Sequence, residues 1–190
     1  MSNKDYFVHE SSYVDDGVKI GKGTKIWHFS HIQSGSIIGE GCIFGQNINV
    51  GNNVIIGNKC KIQNNVSIYE GVELEDYVFC GPSMVFTNIK LPRSEFSQRG
   101  SEYYLKTLIK KSASIGANAT IVCGVTLGEY SFIGSGAVVT KDIPAHALVV
   151  GNPGKIFGWV DKKGHRLKFD ENGISLCGNY KLTDGKLQRC

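Results

Sequence analysis

Apolar side chains recur every sixth residue from the start of the chain: Val8, Val14, Ile20, Ile26, Ile32, Ile38, Phe44, Val50, Ile56, Ile62, Ile68, Leu74, Cys80 and Phe86. Gly often follows the apolar position, as at Gly21, Gly39, Gly45, Gly51, Gly57 and Gly81. The residue two before it is small or β-branched, as at Thr24, Ser30, Ser36, Cys42, Val54 and Val66. An amphipathic helix needs apolar residues at a period near 3.6, so a strict period of six excludes it. Each hexad predicts a short strand plus a corner, with the apolar residue inward and Gly allowing tight backbone geometry. One such unit cannot bury its apolar side alone, whereas stacked units share a continuous core. The pattern predicts a parallel β-helix.

The period resumes at Ile109, Ile115, Ile121, Leu127, Ile133, Val139 and Ala145. Phe86 and Ile115 are not a multiple of six apart, so an insertion breaks the register, and LPRSEFSQRGSEYYLK at 91–106 supplies it. An inserted loop at about 91–108 is therefore expected. The first 160 residues read as one domain of 21 hexads. With three hexads to a triangular coil, that makes about seven coils. Beyond Asp161 the style changes: Asn172-Gly173 and Asp184-Gly185 are hairpin-turn signals, and 161–190 is expected to form a β-hairpin cap.

Composition narrows the class. Of 190 residues, 41% are hydrophobic and 24 are Gly, against only 4 Pro, which fits many tight turns around a real core. The net charge of +4 is not concentrated in any Lys/Arg run and gives no case for a nucleic-acid partner. No apolar stretch reaches membrane-span length, and MSNKDYFVHE lacks the apolar region of a signal peptide. Six scattered Cys without a CxxC pair fit reduced thiols, and a cytoplasmic protein is expected.

Three segments, 61–88, 115–144 and 147–160, resemble the left-handed β-helix N-acetyltransferases of nucleotide-linked 3-amino sugars. IWHFSHI (26–32) and FCGPSMVFTN (79–88) look most like the enzymes acting on UDP-2-acetamido-3-amino-2,3-dideoxyglucuronate, which serve surface-polysaccharide synthesis. Leu91 and Gly154 depart from that family's pattern. The resemblance implies the left hand of the coil, acetyl-CoA as co-substrate, no metal, and a homotrimer with sites between subunits. The implied reaction is attack of a neutral sugar amine on the thioester. An N-acetyltransferase of a dTDP-3-amino-3,6-dideoxyhexose is the alternative.

Eighteen-residue spacing stacks candidates in columns, with coils about 4.8 Å apart. One corner carries His28, Gln46 and Asn64; then Phe29, Asn47 and Asn65; then His31, Asn49 and Ser67. Stacked Asn residues also suit plain turn ladders. The resemblance implies sugar or diphosphate contacts here, joined by Phe86, with Arg93 for a uronate carboxylate. It places Asn88 in the active site, orienting the amine, since an amide does not titrate; His31 is an alternative base. Small residues in IGANAT and IGSGAV allow passage of a pantetheine arm: Gly116, Ala117, Asn118, Ser135 and Gly136, with Lys141, Asn152 and Lys155 as further contacts. Two remoter readings share the architecture. A metal-dependent carbonic anhydrase holding zinc needs about three His-type ligands, and a non-enzymatic solenoid, structural or ligand-binding, leaves the long insertion unexplained.

Overall fold

The computed structural model describes residues 5–190; residues 1–4, part of the segment read for a leader, lie outside the described residues. Two-residue strands stack in three parallel sheets that form the faces of a prism. The first face holds Phe7–Val8, Lys25–Ile26, Ile43–Phe44, Lys61–Ile62, Phe79–Cys80, Ser114–Ile115, Phe132–Ile133 and Ala147–Val150. The second runs from Tyr13–Val14 through His31–Ile32, Asn49–Val50, Ser67–Ile68, Val85–Phe86 and Thr120–Ile121 to Val138–Val139. The third runs from Lys19–Ile20 to Thr126–Leu127. The chain is thus an all-β parallel β-helix of about eight turns, consistent with a left-handed coil. Seven turns are complete, and Ala147–Val150 begins the eighth. Among the described residues no helix is long and apolar enough to cross a membrane.

In each two-residue strand the second residue faces inward; in Val72–Leu74 and Thr107–Ile109 the first and third do. Ile26, Phe44, Ile62, Cys80, Ile115 and Ile133 line the first face and are essentially fully buried. Each large apolar side chain removed from water contributes about 1.5–3 kcal/mol, so the stack holds the fold without helices. Burial pushes the Cys80 thiol up to about 12, leaving it a neutral core filler. Corners close on residues with positive φ. At the corner from first to second face these are Phe29, Asn47, Asn65, Ser83, Asn118 and Gly136.

The insertion falls within the fifth turn. Cys80 pairs with Ile62, 18 residues back, but with Ile115, 35 residues ahead. Its base is closed by the Leu105 amide donating to the Asn88 carbonyl at 2.9 Å. Thr107–Ile109 already pairs with Val72–Leu74 as a third-face strand, so the loop ends at residue 106, two residues earlier than the sequence pattern places it. A second difference lies near the top. Ile143, not Ala145, pairs with Leu127, and Ile143 is the buried residue. The period shortens by two residues after Val139 and then resumes, with Val149 opposite Ile133.

The last solenoid strand is followed by an outer one: Lys155–Trp159 runs antiparallel to Ala147–Val150. That hairpin lies inside the segment assigned to the β-helix. The expected C-terminal hairpin forms from Tyr180–Thr183 and Lys186–Arg189. Its turn, Asp184-Gly185, has φ of 48° and 68°, the paired positive values that tight hairpins require.

Candidate active-site edge

Most of the sequence-derived candidates converge on one edge of the prism, the corner between first and second faces. The second turn supplies His28 and, at the start of the next strand, His31. Gln46, Asn47 and Asn49 stack above them, followed by Asn64, Asn65 and Ser67. Gly116, Ala117 and Asn118 form this corner in the sixth turn, and Ser135 and Gly136 in the seventh. Turn 151–154, carrying Asn152, caps the edge: the Val138 amide donates to the Gly151 carbonyl at 3.0 Å, and the Gly154 amide donates to the Val138 carbonyl at 2.7 Å. Lys155 pairs with Val150 at the same end.

Local hydrogen bonds show how much of this edge is scaffold. Asn64 accepts the Gln46 amide at 2.9 Å, and the Asn47 side-chain amide donates to Asn65 at 3.0 Å. That is the Asn ladder which tight corners favour. The glycine at 116 also has a packing cause, because a Cβ there would lie 2.5 Å from the Ser135 amide nitrogen. Asn49 accepts from Gln33 at 3.1 Å.

The two histidines differ. His31 Nε2 lies 2.8 Å from the Asp15 carboxylate, an exposed pair that holds the Asp15 carboxyl below the usual carboxylate range. His28 packs against His9, with ring centroids 3.5 Å apart and planes tilted by 30°. Its Nδ1 is buried without a hydrogen-bond partner. Trp27 and Phe29 flank it, the Trp27 ring nearly parallel to the imidazole. Phe29 stands in one of the stacked columns and Trp27 in the IWHFSHI motif, but neither is assigned a ligand contact from the sequence. The signal that finds them is the repeat itself, since other turns place small or polar residues at these positions.

Four candidates fall elsewhere. Phe86 is a core side chain, 1% exposed; as the inward residue of its hexad it is not available to a substrate. Asn88 and Lys141 occupy the corner between second and third faces. The Asn88 side-chain amide donates to the Glu70 carbonyl at 3.4 Å. Arg93, on the inserted loop, is exposed and donates to the carbonyl of its neighbour Pro92. Asn88 lies three turns above His31, about 14 Å along the solenoid axis at one strand spacing per turn. Rotation about an axis parallel to the solenoid leaves that height unchanged. Asn88 and His31 therefore do not meet at one reacting atom, within a chain or across such an assembly.

Two concavities of the single chain lie away from this edge. One of about 540 Å³ is lined by Lys110, Thr126, Glu129, Asp142 and Ile143; another of about 300 Å³ by Ile55, Glu73, Glu75, Asp76 and Lys111. Among the described residues no group of three His, Cys, Asp or Glu converges as a metal would require.

Residues 17–52 and 106–141 match the family described as bacterial transferase hexapeptide (six repeats), and residues 36–70 match the hexapeptide repeat of succinyl-transferase. A dTDP-3-amino-3,6-dideoxy-α-D-galactopyranose 3-N-acetyltransferase of Aneurinibacillus thermoaerophilus is 49% identical over 86 residues, 44% of this chain and 45% of that protein. The match thus spans less than half the length of this relative. Two solved structures share the fold. A point mutant of GDP-perosamine N-acetyltransferase from Caulobacter crescentus, in complex with CoA and GDP-perosamine, is 20% identical with a TM-score of 0.55, over 80% of this chain and 55% of that one. UDP-N-acetylglucosamine acyltransferase from Campylobacter jejuni is 15% identical with a TM-score of 0.56, over 82% and 68%.

Proposed function

We propose that the chain is an acetyl-CoA-dependent N-acetyltransferase acting on a nucleotide-linked amino sugar, with a dTDP-3-amino-3,6-dideoxyhexose as its substrate. The observation that carries this reading is the 49% identity to an enzyme named for a dTDP-3-amino sugar. It favours the alternative over the UDP-glucuronate derivative to which IWHFSHI and FCGPSMVFTN pointed. Arg93 is compatible with this preference: it is exposed and donates to the Pro92 carbonyl, and a 6-deoxy sugar brings no carboxylate for it to bind.

The reaction needs few ionisable groups. A neutral sugar amine attacks the thioester carbon, the oxyanion is met by N–H donors, and the thiolate leaves. Asn88 is the residue assigned to orient the amine. His31, three turns away, is out of reach as base at the same centre and is assigned to the nucleotide end of the substrate. Acetyl-CoA is assigned to the upper edge, from Gly116 to Lys155, where small corner residues leave room for a slender arm. The assembly is proposed as a homotrimer, because the edge carries its candidates outward and a second chain would supply the opposite wall.

The deciding experiment is release of free thiol from acetyl-CoA with the dTDP-sugar and the UDP-uronate in separate reactions. Fast release with the dTDP-sugar alone is expected. Release with the UDP-uronate alone would return Arg93 to a carboxylate role, and release with neither would overturn both named substrates and leave a different amino sugar or a non-enzymatic solenoid.

A further inference from the structure

We propose that Trp27 and Phe29 form the seat on which the pyrimidine base of the nucleotide sugar stacks. This rests on the nucleotide-sugar reading above and adds the place where the nucleotide is held.

The solenoid supplies its own comparison. The first corner position reads Trp27, Gly45, Gln63, Gly81, Gly116 and Gly134 in successive turns. The third reads Phe29, Asn47, Asn65, Ser83, Asn118 and Gly136, all with φ between 55° and 70°. Five turns fill that left-handed position with residues suited to it, and the second turn alone uses a large apolar one. Such a conformation is unfavourable for a bulky residue. Phe29 is nonetheless 67% exposed, so it does not recover the cost by full burial, and Trp27 beside it is 40% exposed. At the third corner, Tyr77 and Tyr130 take the same φ, but lysine ammonium groups lie over their rings.

The surroundings hold this pair rigid. The Phe7 ring lies 5.3 Å from Trp27, the His28 ring is nearly parallel to the indole at 9°, and Phe29 packs at 5.8 Å from His28. The Phe29 amide donates to Ser11 Oγ, and the Ser30 amide to Ser12 Oγ. His28 Nδ1 stays buried and unpaired, a cost of about 1–3 kcal/mol that a corner built only for stability would avoid. Pre-ordered, solvent-facing aromatic rings are a stacking surface for a nucleobase, worth about 1–3 kcal/mol per base.

Position selects the ligand. The platform lies three turns below Asn88, an axial drop of about 14 Å, a span that the diphosphate and nucleoside of an amino sugar held at Asn88 would bridge. The adenine of CoA is the competing base, but the residues assigned to CoA occupy the sixth to eighth turns at the other end.

Trp27 fluorescence reads the site, with buried Trp159 as the constant background. Titration with dTDP and with UDP is expected to quench it saturably, inorganic diphosphate to leave it unchanged, and Trp27→Phe to abolish the signal. Phe29→Asn is the informative variant, because Asn holds the same φ at Asn47 and Asn65 and the fold should survive. It is expected to weaken dTDP binding by about 5- to 150-fold and to raise KM for the nucleotide sugar with kcat little changed. A response to diphosphate equal to that to dTDP, a response to CoA in place of the pyrimidine nucleotides, or unchanged affinity in Phe29→Asn would overturn the proposal. Quenching by dTDP without any acetyl transfer would retire the transferase reading and keep the platform. Transfer with an unchanged KM in Phe29→Asn would do the reverse.

Discussion

At the residue scale, height along the solenoid separates roles that the sequence left side by side. Asn88→Ala removes the group assigned to the amine. A misplaced reacting group costs about 10²-fold, so kcat should fall by about that factor while KM for acetyl-CoA holds. His31→Ala, three turns lower, should raise KM for the nucleotide sugar and change kcat only a few-fold; steady-state kinetics in both substrates separates the two outcomes. A comparable loss of kcat in both variants would place them at one centre and defeat the height argument. Asp15 makes a different prediction. Its carboxyl is held below the usual value by the His31 hydrogen bond, so the folded state binds this proton less readily than the unfolded chain. The stability from this pair is then present above about pH 4, the usual carboxylate value, and is lost as pH falls through the lower folded value. Melting temperatures between pH 5 and 2 should therefore fall less steeply in Asp15→Asn than in the parent, by a small margin because both side chains are partly exposed.

At the element scale, the hexad is a mechanical unit, and its glycines and its loop can be tested apart. A Cβ on Gly39 would lie 2.6 Å from the Gly57 carbonyl carbon, and one on Gly57 2.6 Å from the Asp76 amide nitrogen. The obstacle is backbone, which cannot swing aside as a side chain can. Gly39→Ala should lower the urea midpoint by an amount equivalent to about 1–3 kcal/mol; an unchanged midpoint would mean that adjacent coils are not in contact here. Replacing 89–104 by a short turn should do the opposite. Phe86 and Ile109 are buried on either side of the loop, and Leu105 meets Asn88 at its base. The shortened protein should melt within a few degrees of the parent while losing transferase activity. The contrast explains what the sequence made readable. A period of six names the inward residue of nearly every strand, and eighteen-residue columns bring His28, Asn47 and Asn65 to one edge. The pattern does not show the shortened step from Val139 to Ile143, because Ala145 is also apolar and keeps the count. The same period already commits Phe86, quoted within a family motif, to the core by its own hexad position, so its reading as a substrate contact conflicts with the pattern itself.

At the scale of the whole molecule, the edge that carries most of the candidates is exposed, while the concavities of about 540 and 300 Å³ lie on the third face and its corners. A ligand held only by an exposed edge would keep much of its surface in water, and acyl transfer requires a site that excludes it. Asn88 and the Trp27–Phe29 corner also lie at opposite margins of the second face, so one substrate reaches both most readily if they belong to different chains. In a closed ring of identical subunits each interface pairs one margin with the other margin of its neighbour. Complementation tests this arrangement. Asn88→Ala alone and Trp27→Ala/Phe29→Asn together should each be nearly inactive at low nucleotide-sugar concentration. Unfolded together in equal amounts and reassembled, they should recover about a quarter of the parental rate, because random assembly places an intact Asn88 opposite an intact aromatic corner at about one interface in four. Sedimentation should report a trimer in every sample. If both margins served the same site from one chain, no mixed interface would be intact and no activity would return. A monomer in sedimentation would dispose of the shared site altogether and require the exposed edge to hold its substrates unaided.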